Sequence, residues 1–306
     1  MNKDELKKIL LNKNLFFKKK KFRENEKWLI FKDTEIDDCN KIIKFCKKKQ
    51  ETLLELENNN YKSLKDVCHI ANGLVSGLDK AFVVGKEKLS ILNTNERLAL
   101  KKVIKAFNVQ KFINNGFEYY IFLNDKNILN FEKEYPNFFI HLKEYKEKLL
   151  DRYNYNKDIK YWEWVFLRNY KLFNTPKDKI SVPCKQRVKS YYDVKFSFTE
   201  KELLPTQDVT SIYLKDNIKE SIYYVLAYLN SELIKKWIFI NNNNRGNILE
   251  FSEKPLNEIP FRSIDWTNKN EVEIHNKISQ YTEEIVKTKN FKNLNKIENE
   301  IKLLFK

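Results

Sequence analysis

With 306 residues, 42% of them hydrophobic, the chain is long enough to bury a proper core as one large domain or two smaller ones, which excludes a disordered protein. Fifty-eight Lys and Arg against 42 Asp and Glu leave a net charge of +16, which favours an anionic partner, either nucleic acid or an acidic membrane face. Only seven of the cations are arginine, and the crowding of Lys, Asn, Ile and Phe is also what an A+T-biased genome supplies, so charge alone selects no partner.

In chain order, residues 1–60 read as helix, short extended piece and helix. NLFFKKKKF at 14–22 is aromatic and basic, its Lys18–Lys21 run being either a solvated face or a phosphate contact. KWLIF at 27–31 has the pattern of a strand, and Ile36, Cys39, Ile42, Ile43 and Cys46 recur at helical spacing behind Thr34 as a cap. ENNN at 57–60 closes the segment as a linker.

From Tyr61 to about Asp265 short apolar bursts alternate with turns and helical stretches. LKDVCHIANGLV and AFVV are predicted strands, 95–107 a helix, 119–123 a strand and 135–153 a helix with Pro136 near its start. Trp162 and Trp164 alternate as on a strand that places one ring in the core. KISVP (179–183), FSF (196–198) and VTSIYL (209–214) are further strands, and 217–237 is a helix burying Ile222, Val225, Leu226, Leu229, Leu233 and Ile234. In the tail, Ile274, Ile278, Tyr281 and Ile285, then Leu294, Ile297, Ile301 and Leu304, make narrow seams on two helices broken near 287–293, for packing on this chain or on a partner. The predicted class is α+β, with a mixed, mostly antiparallel sheet, inserted helices and a helical C-terminal tail. The predicted division is a connector at 1–60, a central domain at 61–265 and a helical segment at 266–306.

Several chemistries lack their required residues. Cys39, Cys46, Cys68 and Cys184 form no CxxC pair and the three histidines are scattered, so no metal site and no disulfide framework is expected. MNKDELKKIL lacks a signal-peptide core, and Glu232, Lys235 and Lys236 interrupt the most apolar stretch, so a cytoplasmic protein without a membrane span is expected. GLVSGLDK has neither the spacing nor the lysine-serine pair of a phosphate loop, and the six prolines include no adjacent pair for an adenine-holding turn. Cys68 beside His69 is better read as a buried thiol than as half of a dyad.

The order of motifs then acquires meaning: GLVSGLDKAFVV, YKEKLLDRY, YWEWVFLRN, FNTPKDKISVP, TQDVTSIYL, VLAYLNSELIKKWI and LNEIPF. This succession resembles the target-recognition region of TaqI-type DNA adenine methyltransferases and of fused type IIG restriction-modification enzymes. KWLIF and the helix after it resemble the connector that joins catalytic and recognition domains there. Two departures stand out: Ser76 replaces the usual threonine, and PKDKI carries two extra residues, which blurs the register of that strand.

The resemblance implies a non-catalytic specificity module on double-stranded DNA, directing adenine N6 methylation, with or without cleavage, by a separate catalytic domain or subunit. S-adenosylmethionine is then expected in that partner and no cofactor in this chain. Gly73 and Gly77 are expected to shape a turn by positive φ or close backbone approach, with Ser76, Asp79 and Lys80 available to DNA backbone. The main DNA-binding candidates are Lys185, Gln186, Arg187 and Lys189 in CKQRVKSYYDVKF, which is either a groove reader or a solvated hairpin. Asn243 and Arg245 in INNNNRGN come next, then Arg168, whereas Arg152 is expected to pair with an acid inside the fold. The alternatives are an RNA- or anionic-surface-binding protein without sequence preference and an inactive remnant of a type IIG enzyme.

Overall fold

The structure is a computed structural model that describes residues 61–305 except 125, 242, 243, 246 and 247. The connector expected over 1–60, with its aromatic and basic stretch, lies outside the described residues.

Strand β1 (Lys62–Ser63) leads into one helical turn, Leu64–Val67, and then into β2 (Cys68–Asn72). A second helical turn, Asp79–Phe82, precedes β3 (Val83–Val84), so GLV and AF are not continuous strand as predicted. The helix expected over 95–107 is only Thr94–Leu98; the chain then runs into β4 (Leu100–Ile104), and β5 is Glu118–Ile121. Tertiary pairing overrides local helix preference here, because β4 bonds antiparallel to β5 on one side and parallel to β9 (Leu203–Pro205) on the other.

The helix predicted over 135–153 splits into α1 (Pro136–Lys143) and a short turn, Lys146–Leu150. At the start of α1, the fully buried Glu96 accepts hydrogen bonds from Asn137 N (2.6 Å) and Phe138 N (3.2 Å). A carboxylate there meets the orphan amides and the positive end of the helix. Glu96 also closes a capping box with Asn93, which the Asn-Thr-Asn-Glu sequence already encodes.

Four strands, β6 (Lys179–Pro183), β8 (Ser197–Thr199), β10 (Val209–Leu214) and β2, form the central antiparallel sheet in the order β2-β10-β6-β8. Both β6 and β10 are buried almost throughout, because each face of this sheet meets a core. Ile70, Ile212 and Ile180 share a row facing the first core. The next row is small: Ala71, Ser211, Ser181 and Ser197 lie side by side, and the turn at Ala106–Asn108 packs against β6. The second core gathers β3, β4, β5 and an aromatic cluster in which Trp164 meets Phe82, Tyr120 and Phe122 edge to face. Trp164 is buried and donates to Ile121 O, but residues 162–164 form no strand, and Trp162 stacks on Phe131.

Strand β7 (Lys185–Arg187) leaves the central sheet to pair elsewhere. The helix predicted over 217–237 is two helices, α2 (Ile222–Asn230) and α3 (Glu232–Asn241), with Ile222 and Leu233 only half-buried. The Leu-Asn-Ser segment explains the break. Asn230 Oδ1 accepts from Phe196 N (3.2 Å) and its Nδ2 donates to Phe196 O (2.8 Å), so the side-chain amide mimics a strand neighbour. Ser231 turns extended, and its hydroxyl donates to Tyr228 O (2.7 Å) at the helix end.

After β11 (Asn244–Arg245), β12 (Ile248–Glu250) and β13 (Pro260–Phe261), helices α4 (Lys269–Thr288) and α5 (Leu294–Leu303) complete the fold. Both seams pack on this chain: Ile278, Ile285, Ile297, Ile301 and Leu304 join α2 in the first core, and β13 pairs with β1. The structure is therefore α+β with mostly antiparallel sheets and a helical C-terminal tail.

Candidate nucleic-acid interface

The glycine segment is locked on every side. A Cβ on Gly73 would lie 2.0 Å from Thr206 O, and Gly77 has a φ of +85°. Gly73 N donates to Val209 O, Leu74 N to Pro205 O, and Val75 pairs with Phe166 in both directions. Two arginines clamp two of its carbonyls. Arg168 Nε donates to Gly73 O (2.7 Å), and Arg152 Nη1 donates to Ser76 O (3.0 Å) while its Nη2 reaches the carbonyls of Lys160, Tyr161 and Glu163. Arg152 thus binds backbone carbonyls, where an internal acid had been expected.

Ser76 does not reach the surface, and the half-buried Asp79 is engaged within the fold. Ser76 is fully buried and donates to Asp79, which bonds Lys105 Nζ at 2.5 Å. Lys105 also meets Asp208 (2.9 Å) and donates to Thr206 Oγ1 (2.9 Å). Burial alone would lower the Lys105 ammonium, but Asp79 and Asp208 outweigh it and hold its pKa above the ordinary lysine value. The network joins the residue after β4 to the glycine segment and to the loop after β9, more than a hundred residues apart, so no local pattern announces it. Lys80 is exposed beside this network, and Arg168 is half-buried.

The segments around 185 and 245 come together. Strand β12 lies between β7 and β11 in a three-stranded antiparallel sheet. Arg187 is registered opposite Ile248, and Ile248 opposite Arg245, so two of the chain's seven arginines fall in one row. Lys185, Arg187 and Lys189 are exposed, as is Ile248, and the three cationic side chains have no bonding partner among the described residues. Gln186 points the other way: it is buried beside Leu249, its Nε2 donating to Lys195 O (3.2 Å). Alternation along a strand puts neighbours on opposite faces, which removes Gln186 from the exposed row. Asn243 lies outside the described residues, and Arg245 is described by its backbone alone.

The turn after β7 is built to hold its shape. Asp193 accepts from Lys189 N (2.7 Å) and Ser190 N (3.0 Å), and these bonds keep its carboxyl below the usual range. Tyr191 and Tyr192 lie ring against ring at 4.1 Å, with Lys236 over the first and Lys235 over the second. Lys235 is buried; burial first, and then the neighbouring Lys111, lower its pKa to about 8.

A nucleoside cofactor such as S-adenosylmethionine does not fit the glycine segment, because the space a ligand would need beside Gly73 is filled by the backbone of Thr206. Among the described residues no group of His, Cys, Asp and Glu could hold a metal ion, and no helix is long and apolar enough to cross a membrane.

The described residues thus combine a mixed sheet flanked by helices, an exposed cationic strand and a glycine loop filled by its own backbone. No family model matches the chain. It is 41% identical over 260 residues to the type II methyltransferase M.HindII of Haemophilus influenzae, covering 84% of this chain and 50% of that protein. It is 33% identical over 243 residues to the type II methyltransferase M.MjaIV of Methanocaldococcus jannaschii, covering 78% of each. The chain belongs to the type II methyltransferase family, and it spans about half the length of M.HindII. The fold is similar to part of the type IIL restriction-modification enzyme MmeI, solved in complex with DNA, with a TM-score of 0.57 at 10% identity, over 80% of this chain and 33% of that one.

Proposed function

We propose that this chain is the sequence-reading module of a restriction-modification system, docking on double-stranded DNA and directing adenine N6 methylation by a separate catalytic domain or subunit of the TaqI type. S-adenosylmethionine belongs to that partner. The observation that carries the proposal is the cationic row of the β7-β12-β11 sheet, in which Arg187 and Arg245 are registered through Ile248 and Lys185 stands two residues from Arg187. An exposed two- or three-stranded ribbon fits the major groove, and arginine forks suit guanine edges there. Lys185, Lys189 and Lys80 supply phosphate contacts, which position without reading sequence. The fixed glycine loop adds support, since Arg168 and Arg152 hold the carbonyls of Gly73 and Ser76 and the loop serves as a rigid base for the surface beside it.

The test is binding of the purified chain to a panel of duplexes selected from random sequence, at two salt concentrations. One short sequence should be preferred over random duplex by at least a hundredfold or so, and overall affinity should fall steeply with salt. Methylation should appear only when a catalytic partner is added. Equal binding to all duplexes and to RNA would leave a charge-driven binder instead, and methylation by the chain alone would remove the separate partner.

A further inference from the structure

One exposed feature is used neither by the cores nor by the β7 surface. Tyr153 and Tyr155 are 69% and 39% exposed, on a loop anchored by the four carbonyl contacts of Arg152. Lys157 N bonds Asn154 O at 3.2 Å, and the two residues between, Tyr155 and Asn156, have φ of 56° and 57°. Positive φ at both central positions is the pattern of a tight mirror-image turn that usually takes glycine or asparagine. A tyrosine held there costs about 1 kcal/mol, and it still leaves more than a third of its surface to solvent.

The rings form a continuous ledge. Tyr153 and Tyr155 are 4.7 Å apart by centroid, Tyr155 and Phe166 are 5.0 Å apart, and Lys157 Nζ sits 4.5 Å from the Phe166 centroid. Phe166 is tied to Val75 of the glycine segment, and Arg168 follows two residues later. The ledge therefore presents exposed tyrosine ring surface to solvent, with Lys157 over the adjoining Phe166 ring.

We infer that this ledge is a stacking platform for a nucleobase lifted out of the duplex, with Lys157 on the adjoining phosphate. The inference rests on the DNA-reading function proposed above. Ring faces bind unstacked bases, which paired duplex hides, whereas neighbouring cations meet the backbone whatever the sequence.

The full chain is tested against its selected duplex and against the same duplex carrying one unpaired base. The wild type should bind the unpaired form about tenfold more tightly, as one stacked base allows. Tyr153→Ala with Tyr155→Ala should abolish that preference while leaving affinity for the paired duplex unchanged, and Tyr153→Phe with Tyr155→Phe should keep it. Photo-cross-linking from 5-iododeoxyuridine at the unpaired position should map to Tyr153 or Tyr155. A wild type that binds the paired duplex but shows no preference, or an alanine pair that retains it, overturns the platform and spares the DNA-reading function. A wild type that ignores duplex DNA overturns both.

Discussion

The two charged regions of this molecule use the same residue types for opposite ends. Around Ser76, the cation Lys105 is 10% exposed at its side chain and bound by Asp79, Asp208 and Thr206. On β7, Lys185 and Arg187 face water with no partner among the described residues. A buried cation must be matched by acceptors within the chain, since desolvation is otherwise prohibitive. An exposed cation carries no such requirement and is free for an anion from outside. The difference teaches which positives in a lysine-rich chain hold the fold and which remain for binding, and it yields changes that should affect one region and not the other.

The largest effect should come from Lys105→Met. It leaves Asp79 and Asp208 facing each other without their cation, and breaking a buried pair of this kind typically costs about 3 to 5 kcal/mol. Asp208 keeps 36% of its side chain exposed, which places the expectation at the lower end, about 3 kcal/mol in urea unfolding. Adding Asp79→Asn and Asp208→Asn should restore part of the loss. A loss below about 0.5 kcal/mol would mean that the network is open to water and that the contrast with β7 is one of degree.

Gly73→Ala should follow closely. Its Cβ would sit 2.0 Å from Thr206 O and 2.8 Å from Pro205 C, both backbone atoms that cannot swing aside. Separating the glycine segment from the Pro205–Thr206 strand end should cost about 2 to 3 kcal/mol, as overpacking does, and lower the thermal midpoint. Gly85→Ala is the control, because the atoms its Cβ meets belong to the end of the flexible Glu87 side chain.

On the binding side, Arg187→Ala should leave stability within about 0.5 kcal/mol, as exposed substitutions do, and weaken the preferred duplex by about 1 to 2 kcal/mol, roughly five- to thirtyfold. Lys189→Ala should weaken all duplexes alike and reduce the salt slope by about one. If Arg187→Ala instead lowers affinity equally for every sequence, the row on β7 grips phosphate and sequence is read elsewhere on the molecule.

What could be seen in the sequence follows the same division between local and long-range causes. KISVP and VTSIYL are legible as strands because β-branched residues bounded by turns need no distant information. The tail helices are legible because their seams repeat at helical spacing. Leu100–Ile104 was not legible as strand, since its partners β5 and β9 lie up to a hundred residues away and the local composition favours helix. For the candidate site, Lys185, Arg187 and Lys189 were identifiable as exposed cations, but only pairing with β12 brings Arg187 into register with Arg245. Strand alternation would have turned Gln186 inward had β7 been recognised as a strand. Lys105 and Thr206 were missed because nothing near either residue signals the other.

The smallest effect tests whether burial of a cation without a carboxylate carries a measurable penalty. Lys179 is fully buried and donates to Glu200 O (2.9 Å) and Lys201 O (3.4 Å), and burial lowers its pKa to about 8. Lys235 donates to Tyr192 O (2.9 Å) and is likewise held at about 8. Between pH 8 and the ordinary lysine value of 10.5, the unfolded chain then holds more protons than the folded one. Stability must therefore rise with pH in that window and fall as pH drops through 8. Cys68, whose thiol burial pushes up from 9.0 to about 12, works in the opposite direction above pH 9, so the clean interval lies below that. From about pH 7.5 to 9 each lysine should add roughly 1 kcal/mol, and Lys179→Met should remove its share of the slope. Stability that is flat over this interval would mean that both ammoniums reach water. Water, and not only the carbonyls of Glu200, Lys201 and Tyr192, would then solvate a charge that, at Lys105, is held by two carboxylates.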